Sequence, residues 1–80
     1  MFQRNIAEEE VLEAIESGIT IEEYPNDYPY PSQLLLGQAR GRPLHVVVGE
    51  DNRSGTLFVV TGYEPDLMEW EPGFRTRRRQ

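Results

Sequence analysis

Gln33–Val48, QLLLGQARGRPLHVVV, decides the fold. Leu34, Leu35 and Leu36 precede Arg40-Gly41, and Leu44, Val46, Val47 and Val48 follow it, so two apolar runs flank one glycine-bearing break. The second run is rich in β-branched residues, which fit a pleated, half-buried surface. Gly41 supplies the positive φ of a two-residue loop. The stretch is therefore predicted to be a β-hairpin of definite register. Ala39 faces Arg42, Gly37 faces Leu44, Leu35 faces Val46 and Gln33 faces Val48, while Leu34, Leu36, His45 and Val47 share the opposite face. Both faces are largely apolar. One is predicted to carry an N-terminal helix; the other needs a second helix, the C-terminal segment or a second subunit.

Upstream, Asn5 to Gly18 reads as that helix, with Ala7, Val11, Leu12, Ala14 and Ile15 forming one apolar stripe. Asn5 is the expected N-cap with Glu8 answering three residues on, Glu8–Glu10 suit the helix dipole, and Gly18 is expected to end the helix in the left-handed conformation. Ile19–Tyr24 (ITIEEY) is predicted to be an edge strand, and Pro25–Pro31 (PNDYPYP) a stiff, extended loop. Tyr24, Tyr28 and Tyr30 either roof exposed core or offer stacking faces to a base or a peptide.

Downstream, Gly49–Gly55 reads as a polar turn and Thr56–Tyr63 as the last strand, predicted to be central and antiparallel to Leu44–Val48. A register with Glu50 opposite Thr56 would set His45 across from Thr61, with Tyr63 on the same face. Pro65 takes the chain out of the sheet. Asp66–Trp70 is predicted to make one helical turn seating Leu67, Met68 and Trp70, closed by Pro72-Gly73 and followed by a mobile tail.

Eighty residues support one core, stable by a narrow margin and open to stabilisation by pairing with a copy of itself. No cysteine and a single histidine leave no disulfide, thiolate or zinc chemistry. No stretch reaches the length of a membrane span and no signal-peptide pattern opens the chain, so no membrane and a cytoplasmic location are expected. The charge is divided. Residues 1–74 hold all fourteen carboxylates against four arginines, whereas 75–80 hold four arginines, Arg75, Arg77, Arg78 and Arg79. So acidic a body repels a nucleic-acid backbone and leaves any RNA contact to the tail.

Several of these pieces together resemble a known family. QRNIAEEEVLEAIESG, the EYP loop, LLLG-x-x-x-GRPLHVVV, the T-x-Y-x-P of Thr61 to Pro65 and the W-x-x-x-F-x-x-R of Trp70 to Arg77 are similar, in order, to domain-of-unknown-function family number 4258. The resemblance covers nearly the whole chain. It implies a small α+β domain distantly related to the BrnT and RelE/ParE toxins, whose better-known members cut messenger RNA or poison gyrase and are encoded beside a small antitoxin partner. Family members usually carry a preceding helical segment with a histidine and an Arg-Met pair. The resemblance aligns Met1 with the methionine of that pair, so the family's histidine would fall upstream of it.

The residues that can carry chemistry are few. His45 is the one side chain with an ordinary pKa near neutrality. With Thr61, Tyr63, Arg75 and Arg77 it could serve as general base in RNA cleavage, arginine neutralising the phosphorane. The alternative is a half-buried strand histidine bonded to Thr61 or Tyr63. Tyr28, Tyr30, Thr61 and Arg78 are the candidate binding residues. Phosphate loops, nucleophile elbows and metal-ligand spacings are absent from the sequence, so no metal or cofactor is expected.

The sequence thus predicts an α+β domain over 1–74: a helix on a four-stranded, mostly antiparallel meander, a short C-terminal helical turn, and a basic tail over 75–80. Three functional readings follow. They are a self-associating domain without assigned activity, a RelE/BrnT-like ribonuclease, and a small protein-interaction module with an antitoxin-like partner.

Overall fold

The computed structural model describes residues 5–66 and 68–77. Helix α1 (Glu8–Ser17) is followed by strands β1 (Ile19–Tyr24), β2 (Ser32–Ala39), β3 (Arg42–Asp51) and β4 (Thr56–Tyr63). They form one antiparallel sheet in the order β1-β2-β3-β4. The fold is α+β, and β4 is the last strand rather than a central one, because each strand simply pairs with the next in sequence.

The β2–β3 hairpin has the predicted register, from Gln33 opposite Val48 to Ala39 opposite Arg42. Arg40 at φ 51° and Gly41 at φ 81° make the two-residue loop, both residues left-handed as a type I′ turn requires. Leu35, Ala39, Leu44, Val46 and Val48 line one face and bury against Ile6, Val11 and Ala14. Each fully buried aliphatic side chain there contributes about 1.5–3 kcal/mol.

Two glycines let α1 lie this close. A Cβ on Gly37 would stand 1.9 Å from the Ala14 carbonyl oxygen, so the helix backbone rests directly on β2. A Cβ on Gly18 would approach the same oxygen to 2.6 Å. Gly18 is therefore needed for contact rather than for a left-handed cap; its φ of −75° and ψ of 153° lead straight into β1. Ser17 fastens this end, its hydroxyl accepting from the Gln38 N–H at 2.9 Å and donating to the Gln38 carbonyl at 3.2 Å.

The helix cap lies two residues later than expected. Ala7 is the N-cap, and its N–H donates to Glu10 Oε1 at 3.1 Å, so Glu10 takes the role expected of Glu8. Ala7 has no side-chain oxygen to return the bond, leaving half a capping box. Arg42 explains the choice. Its guanidinium donates to Glu10 Oε2 at 2.8 and 3.1 Å and to the Asn5 carbonyl at 2.8 Å, which draws Glu10 inward. The Ala7 bond and Arg42 together hold the Glu10 carboxyl below its ordinary pKa.

The β3–β4 connection is shorter than Gly49–Gly55. β3 runs on to Asp51, which faces Thr56, and Gly49 lies inside the strand beneath the Phe58 ring. Val59 pairs with Val48 and Thr61 with Val47, so Val60 is the extra residue of a β-bulge. Together these shift the predicted pairing: His45 lies across from Tyr63, not Thr61. No helix among the described residues is long and apolar enough to cross a membrane.

Candidate functional site

The face of the sheet away from α1 divides into two halves. One half is covered. After Pro65 the chain makes a hydrogen-bonded turn, the Glu69 and Trp70 N–H groups both donating to the Asp66 carbonyl at 3.0 Å. The predicted C-terminal helical turn is not among the helices. Met68 is 82% exposed rather than seated in the core, while Leu67 lies outside the described residues. Trp70 and Arg77 then form an antiparallel bridge, closed by a bond from the Glu71 N–H to the Thr76 carbonyl at 2.8 Å. Gly73 (φ 96°) and Phe74 (φ 60°) turn this small hairpin over.

His45 lies beneath it, fully buried. Nε2 stands 2.8 Å from the Phe74 carbonyl oxygen, an acceptor only, so Nε2 carries the proton. Nδ1 is left as the acceptor for the Tyr63 hydroxyl at 3.3 Å. The Trp70 ring, only 1% exposed, packs edge-on to the imidazole with centroids 4.4 Å apart. Burial pushes the His45 pKa down and the Arg77 charge adds to this, outweighing the Phe74 hydrogen bond. Burial also raises the Tyr63 phenol.

Arg77 completes the cover. Its guanidinium carbon sits 4.6 Å from the centre of the Trp70 ring, and its nitrogens fork onto both oxygens of Glu22, at 3.0 and 3.2 Å. Glu22 also accepts from the Tyr24 hydroxyl. Burial works to raise the Glu22 carboxyl, but the bonds from Tyr24 and Arg77 prevail and hold it below its ordinary value.

Of the residues singled out from the sequence, the fold brings together His45, Tyr63 and Arg77. Thr61 shares their face but pairs opposite Val47, Arg75 is exposed, and Arg78 lies outside the described residues. Glu22, Tyr24 and Trp70 join the cluster without having been chosen as site residues. The sequence predicts Trp70 only as a core side chain of the Asp66–Trp70 turn, and nothing in ITIEEY distinguishes the one glutamate that meets an arginine 55 residues away.

The other half of the face is open. Tyr30 packs edge-on to Phe58 with ring centres 5.3 Å apart, and Tyr28 is 95% exposed. With Val47, Gly49 and Val60 they line a groove of about 320 Å³. A second groove, of about 390 Å³, lies against Tyr28–Pro31 and is bordered by Glu50, Asp51 and Arg53. The Tyr28-Pro29 peptide is cis, and the Glu50 N–H donates to the Pro31 carbonyl at 2.9 Å, tying the loop to β3. Among the described residues no cluster of histidine or carboxylate side chains is placed to hold a metal ion.

One helix on a sequential antiparallel sheet, with a buried histidine beneath a C-terminal hairpin, defines a small α+β domain. The chain belongs to the family described as Domain of unknown function (DUF4258), whose model matches residues 1–64. Comparison with curated proteins and with solved structures finds no match.

Proposed function

We propose that the chain is a self-associating binding domain of the cytoplasm that works through the open half of its second face. The observation that carries this reading is the grouping of exposed apolar side chains. Tyr28, Tyr30, Phe58 and Val60 are exposed there and line one groove together. Single exposed apolar residues are ordinary on a protein surface, but a contiguous group is not. A chain this small gains most by covering them with a second copy. Light scattering at micromolar concentration should give twice the monomer mass, and Phe58→Glu should return it to the monomer. A wild-type monomer across that range removes the reading.

A second reading is favoured by the convergence of His45, Tyr63 and Arg77 with Glu22 and Tyr24. In a RelE/BrnT-like ribonuclease, a base takes the 2′-hydroxyl proton as the 2′ oxygen bonds to phosphorus. The 5′ oxygen departs with a proton from an acid, and arginine offsets the phosphorane charge. Neutral His45 suits the base and Tyr63 the acid, once the hairpin over them shifts enough to admit a phosphate beside Arg77. Its burial in the closed form ranks this reading second. Overexpression should then arrest growth, with relief by His45→Gln; unimpaired growth with wild type sinks it.

A further inference from the structure

We propose that the groove beside Tyr28 and Tyr30 receives the arginine-rich C-terminal tail of a second copy of this chain. The inference rests on the self-association reading and names the contact that makes it specific. Three observations carry it. The floor is aromatic and aliphatic, formed by Tyr28, Tyr30, Val47, Phe58 and Val60. Acidic side chains stand beside it: Asp27 lines the same groove, and the adjoining groove, which shares Tyr28 and Tyr30, is lined by Glu50 and Asp51 together with Arg53. The complementary charge is in the same chain, because four of its eight arginines fall within the last six residues, while the rest of the sequence is strongly acidic.

Arg77 shows within one copy how such a group is held. Its guanidinium lies on the Trp70 ring while its nitrogens fork onto Glu22. A flat cation over an aromatic face, with a carboxylate at its edge, uses both the delocalised charge and the five donors of arginine. The groove offers that pairing again, tyrosine faces beside carboxylates, and Arg78 and Arg79 follow Arg77 directly in sequence. Apolar patch against apolar patch gives the centre of the interface; tails crossing to these acidic side chains give its rim. Opposite charge at the rim speeds encounter and sets the register of the two copies.

The test uses the full chain, its R78Q/R79Q variant, and a labelled peptide of residues 74–80, FRTRRRQ. The peptide should bind R78Q/R79Q, with affinity falling about tenfold on raising salt from about 0.1 to 0.5 M. Tyr28→Ala and Asp51→Asn should each weaken it by about fivefold or more. R78Q/R79Q should itself dimerise at least about fivefold more weakly than wild type. If wild type and R78Q/R79Q dimerise equally and the peptide does not bind, tail exchange is overturned while self-association stands. If wild type is a monomer, both fall. A monomer whose groove opens to the peptide only on neutralising Arg78 and Arg79 means that the tail folds onto its own chain, which also overturns exchange between copies.

Discussion

Nε2 of His45 lies 2.8 Å from the carbonyl oxygen of Phe74, and this bond joins the middle of β3 to the C-terminal hairpin. It fixes the ring as the neutral tautomer that accepts from Tyr63, in a place where burial opposes a positive charge. Everything the hairpin covers is organised around an uncharged imidazole.

The pH dependence of stability follows. His45 has a lower pKa folded than unfolded, where about 6.5 applies, so the folded state binds fewer protons. Its contribution is complete above about pH 6.5 and is lost as pH falls from there through the folded-state value. The slope is at most about 1.4 kcal/mol per pH unit for one proton. Glu10 and Glu22, also lowered, lose theirs only as pH falls below their ordinary value of 4.5. Urea midpoints between about pH 7.5 and 5.5 should decline for wild type and stay level for His45→Gln. An unchanged slope in the variant assigns the effect elsewhere.

The Arg77–Glu22 fork should be worth little in global stability and more in local order. Both groups are partly exposed, so a double-mutant cycle with Arg77→Met and Glu22→Gln should give a coupling of about 0.5–1 kcal/mol. Either change should speed amide exchange at Trp70, Glu71 and Phe74 and shift Trp70 emission to the red. Trp70→Ala, which empties a site beside His45, should cost about 3–5 kcal/mol in a denaturant melt.

Two glycines of one hairpin should respond oppositely in scale. Gly37→Ala forces a methyl into the backbone of α1 at Ala14, and should cost about 3 kcal/mol or more or abolish folding. Gly41→Ala meets nothing within 4 Å and bears only the strain of φ 81°, about 1 kcal/mol. Equal thermal shifts would mean that the helix does not rest on β2 as described.

Arg40 is a left-handed residue at the first position of a type I′ turn, where asparagine is favoured. Arg40→Asn should raise stability by about 0.5–1 kcal/mol. The exposed 3.7 Å pair with Glu13 that it removes is too weak to cancel the gain. A lower melting temperature would contradict the loop geometry.

The hairpin register was legible because period-two alternation on both sides of Arg40-Gly41 admits few pairings that bury both apolar runs. The partner of His45 was not, since a bulge at Val60 and a strand that runs on to Asp51 leave no compositional trace in VVVGED or TLFVV. Gly18 was open to misreading for a related reason. A glycine needed for closeness looks, in one dimension, like a glycine needed for φ. His45, Tyr63 and Arg77 could be chosen for their chemistry, yet Glu22 could not, because only the closed C-terminal hairpin selects it from its neighbour Glu23.

That the four strands stand in the sheet in the order in which they occur in the chain has a kinetic consequence. Each hairpin closes a short loop, so the sheet can assemble by successive local steps without a slow search for remote partners. The link between Glu22 and Arg77 closes a loop of 55 residues and gains nothing until β1 is in place. Docking of the Trp70–Arg77 segment is therefore a late event on an already built platform, and its loosening belongs to the earliest stage of unfolding.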